Sequence, residues 1–97
     1  MQTEFETDTE VEVEEPKMYK VLLHNDDHTS MEFVVGILKG IFHKTHEEAE
    51  KLTLRIHKKG FAICGIYIDE IARTKVRQVQ DRARENDFPL KSTTEEI

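Results

Sequence analysis

The chain has 97 residues, a formal net charge of −6, 37% hydrophobic residues and one cysteine, Cys64. A chain of this length folds as one compact domain and buries only about 60–65% of the surface it exposes when unfolded; that suits one core better than a deep, water-excluding reaction chamber, and so favours binding over catalysis. No apolar run approaches the roughly 20 residues of a membrane span, the acidic N-terminus is the reverse of a signal or transit peptide, and a lone cysteine excludes an intrachain disulfide framework and suits a reducing, cytoplasmic compartment.

The charge is unevenly spread. Residues 1–15 hold Glu4, Glu6, Asp8, Glu10, Glu12, Glu14 and Glu15 and no base, so the remaining residues net only +1. Phe5, Val11 and Val13 are the only core candidates in that stretch, too few to offset the entropy of ordering it. The expected organisation is a disordered acidic extension, 1–16, bounded by Pro16, followed by a folded domain, 17–97. Fifteen extended residues reach roughly 50 Å, so the extension serves either to solubilise or as an arm that threads into or along a partner.

Met18 to His24 alternates, with Tyr19, Val21 and Leu23 on one face, and predicts a strand. Asn25-Asp26-Asp27-His28 is a loop composition. Thr29 to Glu32 has the form of a capping box, with Thr29 as N-cap, and opens a helix whose face is Val34, Ile37, Leu38, Ile41 and Phe42. Thr45 and Glu48 form a second box; the helix after it presents Ala49, Leu52, Thr53 and Ile56, with His57 one step on, and ends at Gly60. Phe61 to Ile68 is almost wholly apolar, which predicts a strand covered on both faces, with Cys64 as a buried packing residue. Asp69 is expected to cap a third helix carrying Ala72, Val76, Val79 and Ala83 on one face; Pro89 stops continuation and Leu90 to Thr94 forms a short last strand. The fold class is therefore α+β: a small open sandwich of order β-α-α-β-α-β, three helices on a three-stranded antiparallel sheet.

The polar stretch His24-Asn25-Asp26-Asp27-His28-Thr29 joins a strand to a helix, where functional loops commonly lie. It reads as a self-bonded turn, or as part of a site. It lacks the alternate acids and central Gly of a calcium loop, and zinc would need a further ligand, for which His57 is the one candidate. His43 and His46 read as surface residues beside a helix–helix turn. His57, at the end of an apolar helix face, reads as a core-rim residue or as the wall of a pocket. Neither Ser30 nor Ser92 sits on a Gly-flanked elbow, and no Gly-rich loop could cradle phosphate. The bases of the third helix are matched by acids, so no coherent basic face for nucleic acid emerges.

Taken in order, Met18-Tyr19-Lys20-Val21, Asn25-Asp26-Asp27 with Thr29, Met31-Glu32-Phe33-Val34, Ile56-His57, Ala62-Ile63-Cys64-Gly65, Glu70 with Thr74-Lys75, Ala83-Arg84-Glu85-Asn86 and Pro89-Leu90 closely resemble the ClpS family, bacterial adaptors that deliver N-degron substrates to the ClpA–ClpP unfoldase–protease. The resemblance implies a pocket for a protein's first residue. Asn25, Asp26, Asp27 and His57 would hold the free α-ammonium. Thr29, Met31, Val34, Thr53, Ile56 and Leu90 would hold a large apolar side chain (Phe, Leu, Tyr or Trp), with Met31 as a gate against β-branched residues. An ammonium only donates, so an amide oxygen, a neutral imidazole nitrogen and a carboxylate are suitable partners. Thr53 departs from the Met or other large apolar residue often found in the family, and implies a roomier or more polar slot; Ser30 and His28 also differ at the rim. Glu70 and Lys75 would contact the N-terminal domain of a ClpA-type AAA+ unfoldase, although five positions on a helix set them roughly 140° apart. The extension would pass into the unfoldase during delivery.

The leading expectation is a monomeric adaptor without catalysis, cofactor or metal, and with no nucleic acid or membrane among its partners. Two other classes are a stalk-like protein–protein interaction module without a first-residue pocket, and a metal-dependent enzyme using His24, Asp26, Asp27 and His57.

Overall fold

Alternation and capping organise the chain into six elements, and the computed structural model describes residues 15–97 of it. All but the last two residues of the expected extension 1–16 lie outside the described residues. The elements are β1 (Met18–His24), α1 (Met31–Gly40), α2 (His46–Lys59), β2 (Phe61–Ile68), α3 (Asp69–Glu85) and β3 (Lys91–Glu96). The strands form one antiparallel sheet of order β2-β1-β3. The expected β-α-α-β-α-β open sandwich is what forms. Val21 and Leu23 of the central strand are fully buried under the helix faces that present Ile37, Leu38, Ala49, Ala72 and Val79.

Three local expectations are corrected. Ser30, not Thr29, caps α1: its Oγ accepts from the Phe33 amide at 3.1 Å. Thr29 is diverted because its hydroxyl donates to Asp26 Oδ2 at 2.7 Å. Asp69 is the first residue inside α3 rather than its cap; the cap is Ile68, which supplies no side-chain bond, and Asp69 instead pairs with Arg73 one turn on. The Thr45–Glu48 box, by contrast, closes in both directions, at 3.1 and 2.9 Å.

The third correction concerns β2, which is covered on one face only. Its register against β1 slips between Val21 and Leu22, so that Val21 faces Gly65, Leu22 faces Ile63, and Cys64 is an extra residue on β2. A bulge inverts the phase of the alternation. Phe61 and Ile63 before it, and Ile66 and Ile68 after it, all face solvent, while Ala62 and Cys64 enter the core. Burial pushes the Cys64 thiol up to about 12, as befits an inert packing group.

Beyond the bulge, Lys75 of α3 reaches across to the end of α1. Its Nζ donates to the Ile41 carbonyl at 2.6 Å and lies 5.5 Å from the centroid of the Tyr67 ring. The ring leaves no room on Gly65, where an added Cβ would collide with it. Gly65→Ala is therefore expected to swing Tyr67 away from Lys75 and to cost about 1–3 kcal/mol, the usual penalty for overpacking, measurable by urea unfolding.

Candidate functional site

The stretch after β1 is organised by one carboxylate. Asp26 Oδ1 accepts from the amides of His28 at 2.8 Å and Thr29 at 2.7 Å, while Oδ2 accepts the Thr29 hydroxyl. Burial opposes its ionisation. The Thr29 hydroxyl, the two amides and the nearby His28 outweigh that and hold the carboxyl below its ordinary value of 3.8. Asp26 thus shapes the loop, and its acceptor capacity is largely spent on doing so.

The loop is also tied to the end of α2. The Asn25 amide donates to the Gly60 carbonyl at 2.8 Å. Gly60 is the left-handed C-cap of α2, with φ +95°, three residues beyond His57. That bond continues the β1–β2 ladder one step past the His24–Phe61 pair, and together they bring Asn25 and His57, far apart in sequence, to one cavity. Unlike Asp26, the exposed Asn25 carboxamide, Asp27 carboxylate and His57 imidazole make no side-chain hydrogen bond with other described residues.

The cavity has a volume of about 230 Å³ and is lined by Asn25, Asp26, Asp27, Thr29, Met31, Val34, Thr53, Ile56 and His57. Drug-sized ligands occupy pockets of roughly 300–1,000 Å³; this one has the scale of a single large side chain. Its ends differ in chemistry. Asn25, Asp27 and His57 offer hydrogen-bond acceptors at the rim, whereas Met31 and Val34 of α1 and Ile56 of α2 form apolar walls. Met31 is 44% exposed, which places it at the mouth, while Val34, Thr53 and Ile56 are buried. The Thr53 hydroxyl donates back to the Ala49 carbonyl at 2.8 Å. It is satisfied within its own helix, so the consequence of Thr here is space more than polarity.

Of the ten residues expected around the first-residue pocket, nine line the cavity. Leu90 does not; it is 5% exposed and belongs to the core cluster. His24 stands apart: its Nε2 is 2.7 Å from Thr93 Oγ1 on β3, and it is absent from the lining. Among the described residues, no three His, Cys, Asp or Glu side chains are grouped so as to hold a metal. Glu70 is exposed at the start of α3, whereas Lys75 is half-buried in its tie to Ile41. That structural role of Lys75 was not legible in the sequence, because its partner is a main-chain carbonyl on another helix. No helix among the described residues is long and apolar enough to cross a membrane.

Residues 14–93 match the family described as ATP-dependent Clp protease adaptor protein ClpS. This chain belongs to the ClpS family. Family members named ATP-dependent Clp protease adapter protein ClpS include one from Nitratidesulfovibrio vulgaris (strain Miyazaki F), 52% identical over 88 residues, covering 91% of this chain and 88% of the relative. Another, from Desulforapulum autotrophicum, is 55% identical over 91 residues, with 92% and 88% covered. Among solved structures, Agrobacterium tumefaciens ClpS2 bound to L-phenylalaninamide superposes with a TM-score of 0.83 at 37% identity, covering 86% of this chain and all of that one. ClpS proteins are adaptors of the Clp protease, so the role of this chain is that of an adaptor and not of a catalyst.

Proposed function

We propose that residues 17–97 form an adaptor domain that captures proteins by a free, large apolar first residue (Phe, Leu, Tyr or Trp) and passes them, as a cytoplasmic monomer, to a ClpA-type AAA+ unfoldase. The observation that carries this reading is the two-ended cavity. A chain terminus is an ammonium one carbon away from a side chain, and the cavity sets acceptors at its rim above an apolar slot of single-residue volume. The ligand in the Agrobacterium tumefaciens ClpS2 structure, L-phenylalaninamide, has the same two parts. Asn25, Asp27 and His57 take the ammonium; Asp26 supports them by holding the loop, while Thr29, Met31, Val34, Thr53 and Ile56 enclose the side chain. Leu90 acts from beneath as packing. Burying a Leu or Phe side chain contributes about 1.5–3 kcal/mol, and after the costs of association a micromolar-scale affinity is of the right order.

For the unfoldase, Glu70 is the better probe of the contact. A change at Lys75 also strips the Ile41 carbonyl of its donor, so lost partner binding there would mix two effects.

The test is a peptide series differing only in residue one, measured by fluorescence anisotropy. Phe, Leu, Tyr and Trp bind, and Val, Gly and Asp do not. Binding that ignores residue one would instead mark a stalk-like interaction module. Thr53→Met refines the test. With the hydroxyl turned inward, the added volume enters the slot, and Trp and Phe peptides lose roughly tenfold or more while Leu changes less. An unchanged ranking would show that Thr53 does not set the depth of the slot.

A further inference from the structure

Among the described residues three side chains carry sulfur: Met18, Met31 and Cys64. Their settings differ. Cys64 is buried in the core with its thiol pushed up to about 12, so an oxidant meets neither an accessible sulfur nor a thiolate. Met18, at the start of β1, is 37% exposed and absent from the cavity lining. Met31 is 44% exposed, and it alone of the three lines the cavity. It is the first residue of α1 and lies outside the core cluster, so the fold does not rest on its side chain. Val34 and Ile56, the apolar walls beside it, are hydrocarbons with nothing to oxidise.

A thioether keeps its lone pairs at any pH, so access decides which one a peroxide reaches. The sulfur of Met31 attacks one oxygen of hydrogen peroxide. The S–O bond forms as the O–O bond breaks; sulfur gives up two electrons, and the departing hydroxide takes the remaining hydroxyl proton and leaves as water. A flexible apolar side chain becomes a polar one that carries a strong acceptor. At Met31 that acceptor stands in the wall that meets a first-residue side chain. The cavity has only about 230 Å³, so a bound side chain cannot avoid it. Seating an apolar group there strips the sulfoxide of water and returns no donor, which opposes binding. Asn25, Asp27 and His57 are unchanged, so the ammonium end of the cavity is spared.

We propose that Met31 is a reversible oxidation site: peroxide converts it to the sulfoxide, which shuts the cavity to large apolar side chains, and a methionine sulfoxide reductase reopens it. The reductase draws two electrons from a pair of thiols, which become a disulfide, and the oxygen leaves as water. The inference rests on the function proposed above. It adds that an occupied cavity is shielded, because a seated side chain covers Met31, whereas an empty one stands open to oxidation.

The test treats the full chain with hydrogen peroxide, scores each methionine by peptide mass mapping, and follows a free-Phe peptide by fluorescence anisotropy. Met31 is expected to gain one oxygen. L-phenylalaninamide added beforehand protects Met31 and leaves Met18 as reactive as before. Affinity falls about tenfold or more as Met31 is consumed, with the thermal melt unchanged. It returns on treatment with the two epimer-specific methionine sulfoxide reductases and a thiol. The fall persists in Met18→Leu. Met31→Leu, whatever affinity it starts from, keeps that affinity through the treatment. Complete oxidation of Met31 with no change in affinity, a fall that tracks Met18 or Met1 instead, a fall that comes with loss of the fold, or no protection by the amide overturns the proposal. A protein that binds no free-Phe peptide before treatment overturns the function proposed above, and this inference with it.

Discussion

A peptide with a free N-terminal Phe or Leu is expected to bind this protein, and the N-acetylated form of the same peptide to bind at least about a hundredfold more weakly. Acetylation turns a three-donor cation into a neutral amide with one donor. The rim of the cavity can turn three acceptors to that position: the Asn25 oxygen, the Asp27 carboxylate and a His57 ring nitrogen. A hydrogen bond to a charged group contributes about 1.5–3 kcal/mol, so losing two of them costs about 3–6 kcal/mol, or two decades or more of affinity. Asn25→Ala and His57→Ala should each weaken binding by at least about tenfold with no fall in thermal stability, since both side chains are exposed and unbonded to other described residues. Calorimetric titration of the free and blocked peptides decides the matter; equal affinities would remove the ammonium from the account.

Asp26→Ala is expected to abolish peptide binding, chiefly through the loop that this carboxylate holds. The carboxylate holds two amides and a hydroxyl within four residues, and its loss frees the loop that carries Asn25 and Asp27. The local cost is about 1–3 kcal/mol. Asp26→Asn keeps one acceptor oxygen for the two amides and should retain much of the binding. The same carboxylate sets an acid limit. Its folded pKa is depressed, so its contribution is complete above the ordinary value of 3.8 and disappears as pH falls through the lower folded value. Amide exchange at His28 and Thr29 should accelerate in that window before the helices unfold. Intact binding in Asp26→Ala would show that the loop keeps its shape by other means.

The element order was legible because each helix carries its own periodicity and stop signals: Thr45 with Glu48, Gly60, and the Ala72–Val79–Ala83 face. What failed were choices between neighbours. Thr29 and Ser30 can each cap α1, and only the position of Asp26 decides between them. The coverage of β2 failed for a different reason. A run of apolar residues with a phase inversion at Cys64 looks, in one dimension, the same as a strand buried on both faces. The parts of the candidate site were visible as residues, and the family resemblance grouped them. Their convergence depends on the register of β1 against β2, extended by the Asn25–Gly60 bond, a main-chain pairing of distant segments that no side-chain pattern announces. Leu90 is buried and absent from the cavity lining, and sequence alone does not tell a residue on the core side of a thin wall from one on the cavity side.

The bulge in β2 also bears on how the molecule behaves at high concentration. It aligns Phe61, Ile63, Ile66 and Ile68 on one face of a strand whose outer edge pairs with no other strand among the described residues, and such an edge can recruit its like from a neighbouring molecule. Residues 16–97 are nearly electroneutral, so they contribute little mutual repulsion; the repulsion comes from the seven acids of residues 1–15. The charge of residues 1–15 is thus expected to act as a colloidal stabiliser for a sheet with an open edge. Preparations lacking residues 1–15 should gel or precipitate at lower concentration than the whole chain, and sooner as salt is added.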